Sequence, residues 1–222
     1  GLDWTGKKII QLEMTSMQMD SFIVLKMLVS MWSIMMVAMM LPAMVPTLLT
    51  YQDLIKSTKG SWSGWIGVLF GYILIWTFFS FGIAFLQFQL TYNKVLNSSG
   101  ILQSDWGIVI ILMIIGLFQF SKMKDFCHGV CIAPFVYFIK KWRNGFLGSI
   151  RMGLGLGAFC VGCCWGFMVL AFVLGYMNFV WMGLITFIVI LEKIPSIAKV
   201  IKKPLGILII SFSIYYFIKN II

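Results

Sequence analysis

Long apolar runs alternate along this chain with short clusters of charge. Residues 21–41, 62–90, 106–120 and 204–218 are apolar runs, and 152–191 carries no charged residue at all. Crossing a bilayer takes about 20 apolar residues in a helix. The stretch 152–191 is therefore long enough for two spans, joined by a turn near Gly175 to Asn178. The pattern predicts an all-α fold, a polytopic transmembrane helical bundle of about six spans. The run 62–90 exceeds one crossing, which predicts tilt or projection beyond the bilayer. Pro42 and Pro46 should stop or kink the first span and free backbone carbonyls. Residues 126–139 are apolar but, at about 14 residues, short of a crossing, and read as an interfacial or re-entrant segment. Residues 1–20 mix Asp3, Lys7, Lys8, Glu13 and Asp20 with Trp4, Ile9, Ile10, Leu12, Met14 and Met17, an interfacial amphipathic pattern without signal-peptide character. The expectation is a single membrane domain over 1–222, with the helical bundle at 21–218.

Composition supports this reading. The chain is 61% hydrophobic and 11% charged, against about 25% charge in a typical soluble domain. The net charge of +10 does not point to nucleic acid, because the basic residues cluster between the apolar runs. By the positive-inside rule the stretch 121–151, with Lys122, Lys124, Lys140, Lys141, Arg143 and Arg151, belongs in the cytoplasm. The loops near Lys56 and Lys59, and near Lys193, Lys199, Lys202 and Lys203, then fall inside as well. Both termini, the loop 91–105 and the Gly175 turn fall outside. Were 126–139 to span, one half of this topology would invert. The expected location is the cell membrane, multi-pass, with the lipid bilayer and other membrane-protein subunits as partners.

The five cysteines form two groups. Cys160, Cys163 and Cys164 lie at i, i+3, i+4 in an uncharged apolar run and share one helical face. Cys127 and Cys131 flank the only histidine, His128, in the run CHGVC. Neither group follows a secreted disulfide pattern. Thiolates and thioethers are soft ligands that suit Cu(I), and imidazole with thiolate suits copper or zinc. Buried thiols resist ionisation unless a metal or a cation lowers their pKa. The cysteine triplet is thus a metal site, a redox site or apolar packing. CHGVC reads as a cytoplasmic loading site for metal, favoured by Lys122 and Lys124, or as a plain interfacial loop.

Methionines extend the candidate site. Met27, Met31, Met35 and Met39 recur at i+4, Met36, Met40 and Met44 form a second row, and Met168 lies one turn after Cys164. A thioether row facing the thiol helix would make a copper-binding interior. Methionine is also a flexible packing residue, and the rows fit that role too. The candidate metal residues are therefore Cys160, Cys163, Cys164, Met35, Met39, Met168, Cys127, His128 and Cys131.

Gly153, Gly157, Gly162 and Gly166 give small-xxx-small pairs that would let span one or a partner subunit approach the thiol face closely. Glu192 and Lys193 read as a helix-end anchor pair or as a relay. A single histidine excludes bis-histidine haem and multi-histidine copper within this chain. There is no P-loop, no serine–histidine triad and no pair of intramembrane carboxylates. Nothing in the sequence points to catalytic turnover.

The stretches MWSIMMVAMMLPAMVP and GLGAFCVGCCWGFMVLAFVLGYMNFVWMGLITFIVILEKI resemble the two signature regions of a bacterial and archaeal family of predicted metal-binding integral membrane proteins of unknown function. The resemblance covers about Ser30 to Pro195. It implies that Met35, Met36, Met39, Met40, Pro42, Pro46, Cys160, Cys163, Cys164, Trp165, Met168, Met177, Asn178, Trp181, Met182, Glu192 and Lys193 are motif positions. Three functions remain open from the sequence. The first is copper handling, or service as an accessory subunit of a copper-dependent membrane oxidase or monooxygenase. The second is a membrane thiol–disulfide electron carrier, and the third a structural subunit of a membrane complex.

Overall fold

A computed structural model describes residues 2–58, 62–97, 101–143, 145–174 and 179–221, with side chains from Ser21 onward except those of Thr58, Leu174, Phe179, Lys199 and Ile221. Among the described residues the fold is all-α. The helices are α1 (Leu2–Thr58), α2 (Trp62–Tyr92), α3 (Asp105–Phe118), α4 (Lys122–Ile132), α5 (Pro134–Lys141), α6 (Phe146–Leu174), α7 (Phe179–Lys193) and α8 (Pro195–Ile221). The expected turn from Gly175 to Asn178 lies outside the described residues, and so do the side chains of the amphipathic segment 1–20.

Among the described residues four helices are long and apolar enough to cross a membrane, over Ser21–Ser57, Trp62–Tyr92, Phe146–Val173 and Val200–Asn220. A fifth candidate is the pair α3 and α4, bent by 60° at its break. The structure therefore offers four or five crossings where the sequence pattern predicts six. The difference falls on α3 and α7, which have 14 and 15 residues, below the length of one crossing.

The prolines of α1 do not end it. The helix continues through Pro42 and Pro46 to Thr58, and the Thr50 hydroxyl donates to the carbonyl of Pro46 at 2.9 Å. Packing holds it there, since Met40, Ala43, Met44 and Leu48 are all buried. Proline does break the chain at Ala133, where Pro134 opens α5. Ser121 begins α4 by accepting a hydrogen bond from the Met123 amide at 3.1 Å, which fixes the turn out of α3.

Helix α6 is the axis of the bundle, and α2 lies closest to it. A Cβ on Gly71 would strike the Ile150 carbonyl, and one on Gly153 would strike the Val68 carbonyl. Backbone meets backbone here because the side chains have been removed, as in other small-residue crossings. The sequence reading offers the glycine face to span one or a partner subunit, and in this chain other helices meet it. Gly153 and Gly157 receive α2, Gly162 faces Cys127 of α4, and Gly166 faces Ile115 of α3.

Contacts along α6 give the depth of every other helix. At one end Trp32 of α1 stacks on Phe172, with ring centroids 5.7 Å apart, and the Leu102 amide donates to the Phe172 carbonyl at 3.1 Å. At the other end the Tyr51 and Ser149 hydroxyls are 3.1 Å apart. Helix α7 comes down only to the middle of α6, where Lys193 meets Cys160 at 3.0 Å. Helix α8 then runs back along α3, with Ser213 donating to the Val109 carbonyl at 3.0 Å and Tyr216 to Asp105 at 2.8 Å. The pair α7–α8 is thus a hairpin whose tip touches the cysteine region.

Candidate metal centre

Three cysteines from two helices converge at the middle of α6. The sulfurs of Cys131, Cys160 and Cys163 all lie within 4.8 Å of one another, and all three residues are buried. Helical spacing brings Cys160 and Cys163 to one face of α6. The 60° bend before α4 turns Cys131 toward that face. The Cys131 and Cys163 sulfurs are 3.9 Å apart. A metal held by thiolates at about 2.3 Å needs its sulfurs roughly 3.8–4.0 Å apart in tetrahedral or trigonal geometry, and the Cys131–Cys163 spacing meets this. At this distance the pair is not a disulfide, and all five cysteines are free.

Two groups address the sulfur of Cys160. Lys193 donates to it at 3.0 Å, and the Tyr72 hydroxyl of α2 lies 3.2 Å away. The lysine supplies positive charge next to a thiol in an apolar interior, the setting in which a thiolate persists. The lysines expected in this role, Lys122 and Lys124, do not approach the sulfurs. Lys124 is buried and paired with Glu192, at 2.8 and 3.0 Å to its two carboxylate oxygens. Gln119 completes the arrangement, accepting from Lys124 and donating to Glu192 at 3.3 Å.

Glu192 and Lys193 are therefore not a pair with each other. Neighbours on a helix point about 100° apart, and these two point to different partners: Glu192 to α4 and Lys193 to α6. His128 extends the first contact, with Nε2 2.7 Å from the Glu192 carbonyl. The tip of α7 is thereby fastened to α4 at Lys124 and His128, one turn apart, and to the thiol group at Cys160.

The other candidate residues lie around this core. Cys164 is buried with its sulfur 3.3 Å from that of Cys163, outside the three-sulfur group. Cys127 is half-buried beside Gly162. CHGVC is thus not one separate station, since Cys131 joins the α6 thiols while His128 binds the α7 carbonyl. Met35, Met39 and Met168 are buried in the same apolar cluster as the cysteines. Motif positions Met177 and Asn178 lie outside the described residues.

His128 also lines an open cavity of about 430 Å³, together with Gln119, Asp125, Lys202 and Lys203. Asp125 and Lys202 form a salt bridge across it. One turn of α4 separates His128 in this polar cavity from Cys131 in the thiol group. Sequence reasoning missed Tyr72 and the link from Lys193 to Cys160. Neither carries a local signal, because each partner lies more than thirty positions away in the chain.

Comparison with known proteins adds one finding to this geometry. No curated protein and no solved structure matches the chain, whereas a family model described as PpoB2, copper chaperone, matches residues 29–216.

Proposed function

Since the chain belongs to the PpoB2 copper-chaperone family, we propose that it is an integral membrane protein that holds Cu(I) on Cys131, Cys160 and Cys163 and hands it on. The observation that carries this reading is the buried three-sulfur group with a lysine on one of its members. Thiolates select soft Cu(I), and burial keeps water and oxidants from it. The ion is cargo. Two thiolates, one Cu(I) and the Lys193 ammonium sum to zero charge, which suits an apolar interior. Cys164 and Met168, next along the same face of α6, provide further soft donors. Cys127 and His128 stand on the route from the polar cavity.

In this reading the four or five long apolar helices cross the bilayer and the whole chain is one membrane domain. The end carrying Lys56 and Arg143 faces the cytoplasm by the positive-inside rule. Both termini then lie on the opposite side. The receiver is a copper-dependent membrane or exported protein, for which this chain acts as an accessory subunit.

Metal analysis of the purified protein tests the assignment. One Cu(I) per chain is expected, falling to near zero in the Cys131→Ser/Cys160→Ser/Cys163→Ser variant. Unchanged copper in that variant removes the site. Zinc in place of copper, after loading under reducing conditions with both metals present, refutes the choice of ion. The rival thiol–disulfide carrier is supported by the nearness of Cys131 and Cys163. It requires that alkylation trapping in cells find this pair oxidised in a fraction of molecules.

A further inference from the structure

Sulfur continues beyond the thiol group toward the Trp32 end of the bundle. On α6, Cys160, Cys164 and Met168 follow at i+4 and are all buried. Helix α1 runs antiparallel to α6 between two fixed ties, Tyr51 to Ser149 and Trp32 to Phe172. Between these ties Met44, Met40 and Met36 pass the levels of Cys160, Cys164 and Met168. Each row covers about 12 Å of helix. All six residues belong to one buried cluster.

The other methionine row of α1 leads outward. Met39 and Met35 are 6% and 8% exposed, Met31 is half-buried against the cluster, and Met27 is 65% exposed. One helix face thus carries a thioether every turn, about 6 Å apart, from the level of the cysteines to the surface near the Trp32 end. Beside the thiol group, one turn along α4 from Cys131, lies the polar cavity bordered by His128. The buried methionines also pack the cluster, and the row continues beyond them at i+4 to the exposed Met27, beside the exposed Lys26 near the start of the candidate span.

We propose that this row makes the protein a conduit: Cu(I) enters from the polar cavity, passes through the thiol group, and leaves along the thioethers of α1 toward Met27. The proposal rests on copper being the cargo of the thiol group. Each step exchanges one copper–sulfur bond for another, with copper remaining Cu(I) and no electron transferred. As the ion leaves, the Cys160 thiolate retains the Lys193 ammonium as counter-ion and the second thiolate takes up a proton from water, so the emptied site is again neutral. Thioethers bind without a charge and hold the ion less firmly than thiolates, which suits intermediate stations. A dead-end store would end at the buried donors, whereas this row reaches Met27.

The test uses the full chain reconstituted in liposomes that enclose an impermeant Cu(I) chelator, with Cu(I) supplied outside as a weak thiol complex. Wild type should fill the chelator at least tenfold faster than empty liposomes. The Met35→Leu/Met39→Leu variant conserves side-chain volume. It should keep one Cu(I) per chain on the cysteines and lose most of the flux. Should that variant fail to fold, Met31→Leu, at a half-buried position, reads the same quantity. Wild-type protein that binds copper but gives no flux overturns the conduit and leaves the binding site standing. Flux unchanged in the methionine variants overturns the thioether route. Absence of copper on the wild-type cysteines would instead refute the binding assignment.

Discussion

Replacing Glu192 by Gln tests how the tip of α7 is held. The Lys124 and Glu192 side chains are 1% and 3% exposed, and their charged atoms are 2.8 Å apart. With an effective dielectric of about 20, Coulomb's law gives an attraction of about 6 kcal/mol at that distance. Desolvation of both ions offsets much of it, so the pair adds little net stability. Removing one partner is different, because it leaves the other charge buried and uncompensated, at about 3–5 kcal/mol. For a chain of this size each kcal/mol lowers the melting midpoint by about 2–4 °C. Glu192→Gln and Lys124→Met should each melt roughly 6–20 °C below wild type in detergent. The double variant Lys124→Met/Glu192→Leu removes both charges and should recover most of the loss, short by the about 1–3 kcal/mol of an orphaned Gln119 amide. Single variants that melt within about 2 °C of wild type, or a double variant that melts at the sum of the two losses, would refute the account of a buried pair fastening α7 to α4.

Other consequences are equally specific. Lys193→Met removes the cation from Cys160, a charged hydrogen bond of about 1.5–3 kcal/mol, so competition with a Cu(I) chelator should show affinity falling about 10- to 150-fold. Tyr72→Phe deletes only the neutral contact to Cys160 and should weaken copper binding by about 0.5–1.5 kcal/mol in the same titration. Gly153→Ala forces a methyl group against the Val68 carbonyl and should destabilise the fold by about 1–3 kcal/mol. Gly82→Ala, where a Cβ meets nothing within 4 Å, should gain up to about 1 kcal/mol of helix propensity. Thermal unfolding of the two glycine variants side by side checks both.

The sequence by itself determined the helices and their apolar character, because an uncharged run of thirty or forty residues has few other solutions. It also determined that Cys160, Cys163 and Cys164 share a face, since helical spacing alone puts them there. It left open whether Pro42 and Pro46 stop or kink the first span; the helix continues through both, because whether a proline ends a helix depends on neighbours that hold the freed groups. It also offered 152–191 as two spans, and the described part of the second, α7, has 15 residues, since the length of a run says nothing about how deep each half descends. Only the tertiary structure decided that Cys131 joins the α6 thiols, that Lys193 rather than Lys124 faces them, and that Glu192 and Lys193 part company. Each of these contacts bridges 29 or more positions of chain and depends on a 60° bend and on the tip of a hairpin. No local pattern encodes such a meeting. It follows from the way glycine-lined α6 draws α2 and α4 against itself, and from the buried ion pair that sets α7 beside them.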